Sequence, residues 1–231
     1  MLIDIMAATF ITFIVYKLSQ WFYKKVKFPL LHPLLISPVI LIGLIRLLEV
    51  SASEYTDLSV LLTHMLGPAT VAFAVPIYKH AHLLKKYMAE IFLSVATGSV
   101  AAIVTSFILA IWVHLNGEWI LSILPRSITT PIAIEVSREI GGLPALTTAF
   151  VIVTGIIGGM IGPSIIKWMS IKTPVAKGLM LGMAAHGVGT SKAMEYGELE
   201  GTFSSLSMIL AGFLTIFLGY SLIPLLAGFI L

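Results

Sequence analysis

Two stretches of this sequence place charged and hydrogen-bonding groups inside segments that are otherwise apolar. One is "LPRSITTP" at 124–131, and the other is "AAHGVGTSKAMEYGELEG" at 184–201. Guanidinium, ammonium and hydroxyl groups at this density are donors that suit a small anion such as a carboxylate. The candidate substrate-binding residues in these stretches are Arg126, Ser127, Thr129, Thr130, His186, Gly187, Gly189, Thr190, Ser191 and Lys192.

A third stretch, "GPAT" at 67–70, adds Thr70 to the candidates, and all three stretches contain proline or glycine. Proline removes a backbone donor and glycine weakens a helix, so open backbone groups are expected at membrane depth. Broken helices of this kind are tolerated only inside protein or against a watery cavity, as around a transporter's substrate site. Helix N-termini after Pro131 and Gly189 would add unpaired N–H groups and positive dipole ends. The alternative is a set of proline-kinked helices packed against small neighbours.

Two of the candidate residues also have structural alternatives. Arg126 could lie at the membrane surface and extend its side chain into water. His186 could be a hydrogen-bonded packing residue, although the glycines around it favour the close approach of another group.

Two carboxylates, Glu135 and Glu195, are candidates for binding a coupling ion. A glutamate buried in a membrane segment could take up a proton or a sodium ion, and transport would then depend on pH or sodium. The alternative is that these residues form structural ion pairs with Arg138 and Lys192. The sequence leaves both alternatives open.

The composition identifies the class of protein in which these residues act. Of the 231 residues, 58% are hydrophobic and 11% are charged, and the mean hydropathy of +1.03 lies outside the range of soluble domains. The chain has no cysteine, and no histidine or acidic spacing typical of a metal site, so neither a metal nor another cofactor is expected. The net charge is +3, but the lysines lie in short loops between apolar segments, so nucleic-acid binding is not expected. The prediction is an all-α polytopic integral membrane helix bundle that forms a single membrane domain.

Several apolar segments reach the roughly 20 residues that a helix needs to cross a bilayer. They lie near residues 2–22, 28–48, 58–78, 88–115, 119–137, 143–169, 174–196 and 202–229. The first has Asp4 in place of a basic N-terminal region, so we expect a retained span rather than a signal peptide. In this interpretation 1–27 is a peripheral N-terminal span and 28–231 is the core of the domain.

The charges of the first loops predict their sides of the membrane. The loops at 23–27 and 79–86 are basic, whereas those at 49–57 and 114–118 are acidic or neutral. Since cytoplasmic loops are enriched in lysine and arginine, the N-terminus and the loop at 49–57 are predicted to be outside.

The course of 119–137 decides the topology of the remainder. If this segment enters the membrane and returns, 167–173 joins 79–87 on the cytoplasmic side and the acidic 197–201 lies outside, as the charges favour. This gives about seven spans plus one re-entrant or broken segment. A full crossing by 119–137 is the alternative.

Three stretches resemble one another at a shift of about sixty residues, which indicates internal repeats. They are "TVAFAVPIYK" (70–79), "TTPIAIEVSR" (129–138) and "GTSKAMEYGE" (189–198). The segments that follow them align on Gly98, Gly155 and Gly212. Chance similarity among apolar segments is the alternative, because membrane helices use few residue types.

At "LGPATVAFAVPIYK", "SITTPIAIEVS" and "AAHGVGTSKAMEYGE" the chain resembles the LrgB/CidB family of antiholin-like proteins, over residues 30–229. The resemblance implies a multi-pass protein of the bacterial cytoplasmic membrane, connected with murein hydrolase activity and autolysis. It also implies a small LrgA/CidA-type partner in the same bilayer. Related plastid proteins move glycolate and glycerate, and some bacterial pairs are linked to pyruvate uptake. Whether this chain forms a homo-oligomer is left open.

Two classes of function follow from the resemblance. The first is a carrier of small 2-hydroxy- or 2-keto-carboxylates, and the second is a non-transporting antiholin that binds and inhibits a holin-like partner. The polar breaks favour the carrier, because a carrier needs a polar site at the membrane midplane and a blocker needs only a complementary helix face. An enzyme is not expected, since no nucleophile elbow or paired-carboxylate spacing is present.

Overall fold

The computed structural model describes residues 2–26, 28, 31, 33–72 and 74–229, without the side chains of Leu34, Leu66, Ala69, Thr70 and Pro76. The regular structure of these residues is helical, and no strand occurs among them. The prediction of an all-α membrane protein is confirmed.

Thirteen α-helices make up the described part of the chain. They are α1 (Leu2–Val26), α2 (Pro33–Leu47), α3 (Ala52–Leu58), α4 (Val60–Ala72), α5 (Ala74–Lys79), α6 (Ala81–Lys86), α7 (Met88–Trp112), α8 (Gly117–Ile123), α9 (Thr130–Glu139), α10 (Pro144–Trp168), α11 (Pro174–Tyr196), α12 (Glu198–Tyr220) and α13 (Leu222–Ala227). Several starts follow from local chemistry. Asn116 and Thr173 cap α8 and α11 through their side-chain oxygens, and proline opens α10 and α11.

The part of the chain up to Ala74 forms one compact unit, in which α1 packs against α2, α3 and α4. The hydroxyls of Thr12 in α1 and Tyr55 in α3 share a hydrogen bond of 2.5 Å. α4 runs as a helix through Gly67 and Pro68. The helix break expected at 67–70 is therefore wrong, and the helix ends only at Ala72.

From Val75 onward the chain forms a second compact unit, built on the three long helices α7, α10 and α12. They contain 25, 25 and 23 residues, enough to cross a bilayer core of about 30 Å. The chain between α7 and α10, and again between α10 and α12, forms shorter helical segments that return to the end from which they started.

The first of these segments, α8 with α9, is a helical hairpin over 117–139, which we call the first hairpin. The backbone N–H of Leu143, just before α10, donates to the Ser122 hydroxyl at 2.7 Å. The Thr147 hydroxyl, in the first turn of α10, donates to the Ser122 carbonyl at 2.9 Å. The first arm, which follows the C-terminus of α7, therefore lies beside the N-terminus of α10. The hairpin thus begins and finishes on the same side of this unit.

The turn of the first hairpin, 124–129, lies deeper in the unit. From this turn Arg126 reaches Ser106, which is in α7 well before its C-terminal end. Pro125 and the extended backbone of Thr129 keep this stretch out of either helix. The first hairpin has the re-entrant course expected for 119–137.

α11 begins as an arm that runs parallel to α12. Gly178 lies against Phe203, and Gly182, one turn later, lies against Ser207. Both residue numbers rise together, so the two helices point in the same direction here.

After His186 the direction of α11 reverses. The Thr190 hydroxyl pairs with that of Ser204 at 3.0 Å, while Met194 lies against Gly201, so the residue numbers now change in opposite directions. The reversal is at His186, whose φ of 38° and ψ of −120° are not helical. Residues 174–196 are therefore a second hairpin rather than the full span expected from the sequence.

This reversal corrects the predicted topology. The Lys79 ammonium lies 2.7 Å from the carboxylate of Glu198, so the two residues share one side of the membrane. The prediction that 197–201 is external while 79–87 is cytoplasmic is therefore wrong. The prediction relied on the acidic residues of 197–201. The orientation of a membrane protein depends on the lysines and arginines of its loops and very little on acidic side chains.

Among the described residues, four helices are long and apolar enough to cross a membrane, or five if the bent pair Leu35–Leu47 and Ala52–Leu58 is one span. The unit from Val75 repeats one motif, a long helix followed by a hairpin. α7 leads into the first hairpin and α10 into the second, and the two hairpins enter from opposite ends. The aligned stretches 129–138 and 189–198 fall on the second arms of the two hairpins.

Candidate functional site

The tips of the two hairpins each contact the same turn of α10. Nε2 of His186, at the tip of the second hairpin, lies 3.0 Å from the Val151 carbonyl oxygen. Nη1 of Arg126, at the tip of the first hairpin, donates to the Thr154 hydroxyl at 3.3 Å. Three residues of helix rise by about 4.5 Å, so the two contact points are within one helical turn. Two of the three stretches singled out in the sequence therefore contact the same turn of α10.

Arg126 lies inside the unit without a counter-charge. Its Nε donates to the Ser106 hydroxyl at 2.9 Å, and its other hydrogen bond is to Thr154. In the described part of the chain no carboxylate lies within ion-pair distance of it. The guanidinium has five N–H donors, and these two neutral hydroxyls leave several of them for an incoming anion.

His186 is buried and has one hydrogen-bond partner. A carbonyl oxygen can only accept, so Nε2 carries the hydrogen that it donates to Val151. Gly155 makes room for the ring, because a Cβ on Gly155 would lie 2.5 Å from Cε1 of His186. His186 is thus a hydrogen-bonded packing residue through Nε2 and Cε1. Its second ring nitrogen, Nδ1, has no hydrogen-bond partner among the described residues.

The second arm of each hairpin begins at its tip. The N-termini of both second arms therefore lie near the turn of α10 that the tips contact. The first turn of α9 starts after Thr129, whose side chain makes no capping hydrogen bond. The second arm of the second hairpin starts after His186. Helix N-termini carry unpaired N–H groups and a positive dipole end, so both favour a negative charge between the tips. Ser127 and Thr130 are half-buried beside this position.

The two glycines of the second tip differ in their surroundings. A Cβ on Gly189 would collide with the carbonyl oxygen of Leu181 in the first arm. A Cβ on Gly187 would have no atom within 4 Å. Gly189 therefore closes the hairpin, whereas Gly187 borders open space next to His186.

The hydroxyl of Thr190 faces α12 rather than open space. It pairs with Ser204 and lies 3.9 Å from the sulfur of Met208, and all of these side chains are buried. This contact attaches the second arm to α12, so Thr190 has a structural partner in this structure.

The remaining candidates lie away from the tips. Lys192 pairs with Glu195 at 2.6 Å, and Glu135 pairs with Arg138 at 2.7 Å, both in exposed positions on second arms. The structural ion pairs considered in the sequence are present, and neither glutamate is buried as an ion-coupling site would require. Ser191 is exposed beside Lys192. The side chain of Thr70 lies outside the described residues.

Sequence reasoning missed the residues of the long helices that contact the tips. Ser106 of α7 and Thr154 of α10 are separated from Arg126 by many residues and carry no motif of their own. A buried hydroxyl row in α12, Thr202, Ser204, Ser205 and Ser207, is visible in the sequence as "TFSSLS" and could have been found as an unusual density of hydroxyls in an apolar segment. No group of three or more metal-ligating side chains is present in the described ranges.

Comparison with known proteins identifies relatives along nearly the whole chain. The model of the LrgB-like family matches residues 12–226. The uncharacterized protein YwbG of Bacillus subtilis (strain 168) is 47% identical over 207 residues, which cover 90% of this chain and 92% of the relative. The chain has no match among solved structures.

Two further relatives carry names that refer to lysis. The holin-like protein CidB of Staphylococcus epidermidis is 36% identical over 87% of both chains. The antiholin-like protein LrgB of Bacillus cereus is 34% identical over 89% of this chain and 90% of the relative.

Proposed function

The chain belongs to the LrgB-like family, and from that premise we propose that it is a carrier of small 2-hydroxy- or 2-keto-carboxylates in the bacterial cytoplasmic membrane. The substrates would be of the size of glycolate, glycerate, lactate and pyruvate. The resemblance of the sequence to carboxylate-transporting relatives supports this class of substrate.

The observation that carries the proposal is the unpaired charge of Arg126. A guanidinium held inside a membrane unit is costly unless an anion or a watery cavity compensates it. The other cations with partners in this unit, Lys79, Lys177, Lys192 and Arg138, are each within 4 Å of a glutamate. Arg126 has only hydroxyl partners. A carboxylate between the tips would supply the missing charge and accept two N–H donors in the bidentate geometry that arginine favours.

The arrangement of the hairpins supports transport rather than simple binding. Broken segments that meet near the middle of long helices, with helix N-termini facing the substrate, are the usual construction of secondary carriers. The first hairpin opens to one side of the membrane and the second to the other. Movement at either tip would expose Arg126 to one side at a time, which is the requirement for alternating access.

The alternative function is regulation of a membrane partner. The names of the relatives CidB and LrgB favour a role beside a holin-like or antiholin-like protein, with effects on murein hydrolase activity and autolysis. A regulator of this kind needs a complementary helix face and has no need of an unpaired arginine at the centre of the unit. In the carrier hypothesis the lysis effects follow from changed carboxylate metabolism.

The proposal is tested by uptake of labelled glycolate, lactate and pyruvate into proteoliposomes, with and without an LrgA/CidA-type partner. Arg126→Gln removes the charge but keeps hydrogen-bonding capacity. A hydrogen bond to a charged group contributes about 1.5–3 kcal/mol, so apparent affinity should fall roughly 10- to 150-fold.

Arg138→Gln is the matched control, because Arg138 is an exposed arginine of the same hairpin and pairs with Glu135. It should transport like the unmodified protein. If no carboxylate enters under either condition, the carrier hypothesis is wrong and the regulator remains. If carboxylates enter and both variants keep full affinity, the carrier function stands and the substrate-binding role of Arg126 is wrong.

A further inference from the structure

His186 occupies a backbone conformation that most residues avoid. Its φ of 38° and ψ of −120° are close to the first central position of a type II′ turn, where glycine is the usual residue. A side chain there is strained, and strain of this kind persists where the side chain has a role. Glycine is the next residue in the chain, yet histidine holds the strained position.

The hydrogen bond to Val151 determines what the other side of the ring can do. Nε2 must carry a hydrogen, because its partner is a carbonyl oxygen 3.0 Å away. No carboxylate of the described residues lies within ion-pair distance of the ring, and a buried cation without a counter-charge is costly, so the neutral ring is the resting form. Nδ1 then has a lone pair and no hydrogen, and it can only accept.

The partners of His186 and Arg126 on α10, Val151 and Thr154, lie about 4.5 Å apart along the helix. Both side chains thus reach the same turn of α10. In the proposed site, an acid of two or three carbons pairs its carboxylate with Arg126 and turns its 2-substituent towards His186. A 2-hydroxyl can donate to Nδ1. A 2-keto oxygen is itself an acceptor, and it would face the lone pair of Nδ1.

We propose that His186 is a specificity-determining residue that selects 2-hydroxy acids over 2-keto acids. This proposal rests on the proposed carrier function and adds a substrate preference to it. One hydrogen bond between neutral groups changes affinity by about 2- to 12-fold. Lactate should therefore bind more tightly than pyruvate by this factor, and propionate, which has no 2-substituent, should also be weaker than lactate.

The test measures competition by lactate, pyruvate and propionate for uptake of labelled lactate into proteoliposomes, with both lactate enantiomers. His186→Gln keeps an N–H donor for Val151 but removes the acceptor at the position of Nδ1. The preference for lactate over pyruvate should fall to about onefold, with both acids still transported. His186→Gly relieves the backbone strain and removes the side chain, and it should lose the preference in the same way.

The outcomes separate the two proposals. If the unmodified protein transports the three acids equally or prefers pyruvate, or if His186→Gln keeps the preference for lactate, the role of His186 is wrong and the carrier function stands. If none of the three acids competes and none enters, the carrier function fails and the role of His186 fails with it.

Discussion

In the proposed carrier, Arg126 and His186 divide the recognition of a small acid between a charge and an acceptor. The first supplies N–H donors without a counter-charge, and the second supplies a lone pair directed away from its carbonyl partner. Both side chains are held by hydrogen bonds to the long helices, so their positions depend on α7 and α10 as much as on the hairpins. Residues on exposed second arms, such as Lys192 and Glu195, are already paired and contribute charge that is largely neutralised.

The neighbouring glycines of the second tip make a prediction at the residue scale. Gly189→Ala would place a methyl group against the Leu181 carbonyl and force the two arms apart. Overpacking of this kind costs about 1–3 kcal/mol, so the melting temperature in detergent should fall by several degrees. Gly187→Ala is the control, since its methyl group meets nothing within 4 Å, and it should melt at or slightly above the temperature of the unmodified protein. Equal melting temperatures for the two variants would contradict the close approach of the arms.

At the scale of elements, the base of the first hairpin is fixed by a buried hydrogen-bond network. The Thr147 hydroxyl contacts the Ser122 carbonyl and the Ser137 hydroxyl, one from each arm. All three residues are fully buried. A single threonine of α10 therefore bonds to both arms of the first hairpin. Through these arms it also fixes the position of Arg126 along α10.

Thr147→Val should destabilise the protein and weaken uptake together. Valine has nearly the same shape but no hydroxyl, so the carbonyl and hydroxyl partners are left unpaired at a cost of about 1–3 kcal/mol. Thr148→Val is the control, because the Thr148 hydroxyl bonds only to the Pro144 carbonyl of its own helix. Thermal melting and carboxylate uptake measure the two effects. A loss in Thr148→Val as large as that in Thr147→Val would show that the network does not hold the hairpin.

At the scale of the molecule, the second hairpin places three loops on one side of the membrane. The loop around 79–87, the loop at 169–173 and the start of α12 at Glu198 lie at the same end of the unit from Val75. These loops contain many lysines, among them Lys79, Lys85, Lys86 and Lys172. The positive-inside rule therefore predicts that this side is cytoplasmic.

Single-cysteine labelling tests this arrangement, and the cysteine-free chain needs no background substitutions. In intact cells, Lys85→Cys and Leu199→Cys should be protected from a membrane-impermeant thiol reagent, whereas His114→Cys should react. Both protected positions should react after the membrane is permeabilised. Reaction of Leu199→Cys from outside, with Lys85→Cys protected, would mean that 174–196 crosses the membrane.

Composition and local sequence are enough to assign the class of the protein and to select candidate residues for the site. Composition and segment length are sufficient for an all-α membrane protein, because lipid leaves backbone groups no partner outside a helix. The re-entrant course of 119–137 could also be predicted from the sequence. Pro125 and Pro131 interrupt the helix, and the loop charges favour a segment that returns to the side from which it entered. Arg126 and His186 were found because charged and hydrogen-bonding groups are rare in such segments.

The course of 174–196 and the partners of the two tips follow from tertiary contacts alone. A kinked span and a hairpin can share one local sequence, and the hairpin is identified by two tertiary contacts, Gly189 with Leu181 and Thr190 with Ser204. The same holds for Arg126, whose lack of a counter-charge depends on which side chains of α7 and α10 surround it. Contacts between residues far apart in sequence have no local signal, and they determine whether a charge in the membrane is paired or free to bind.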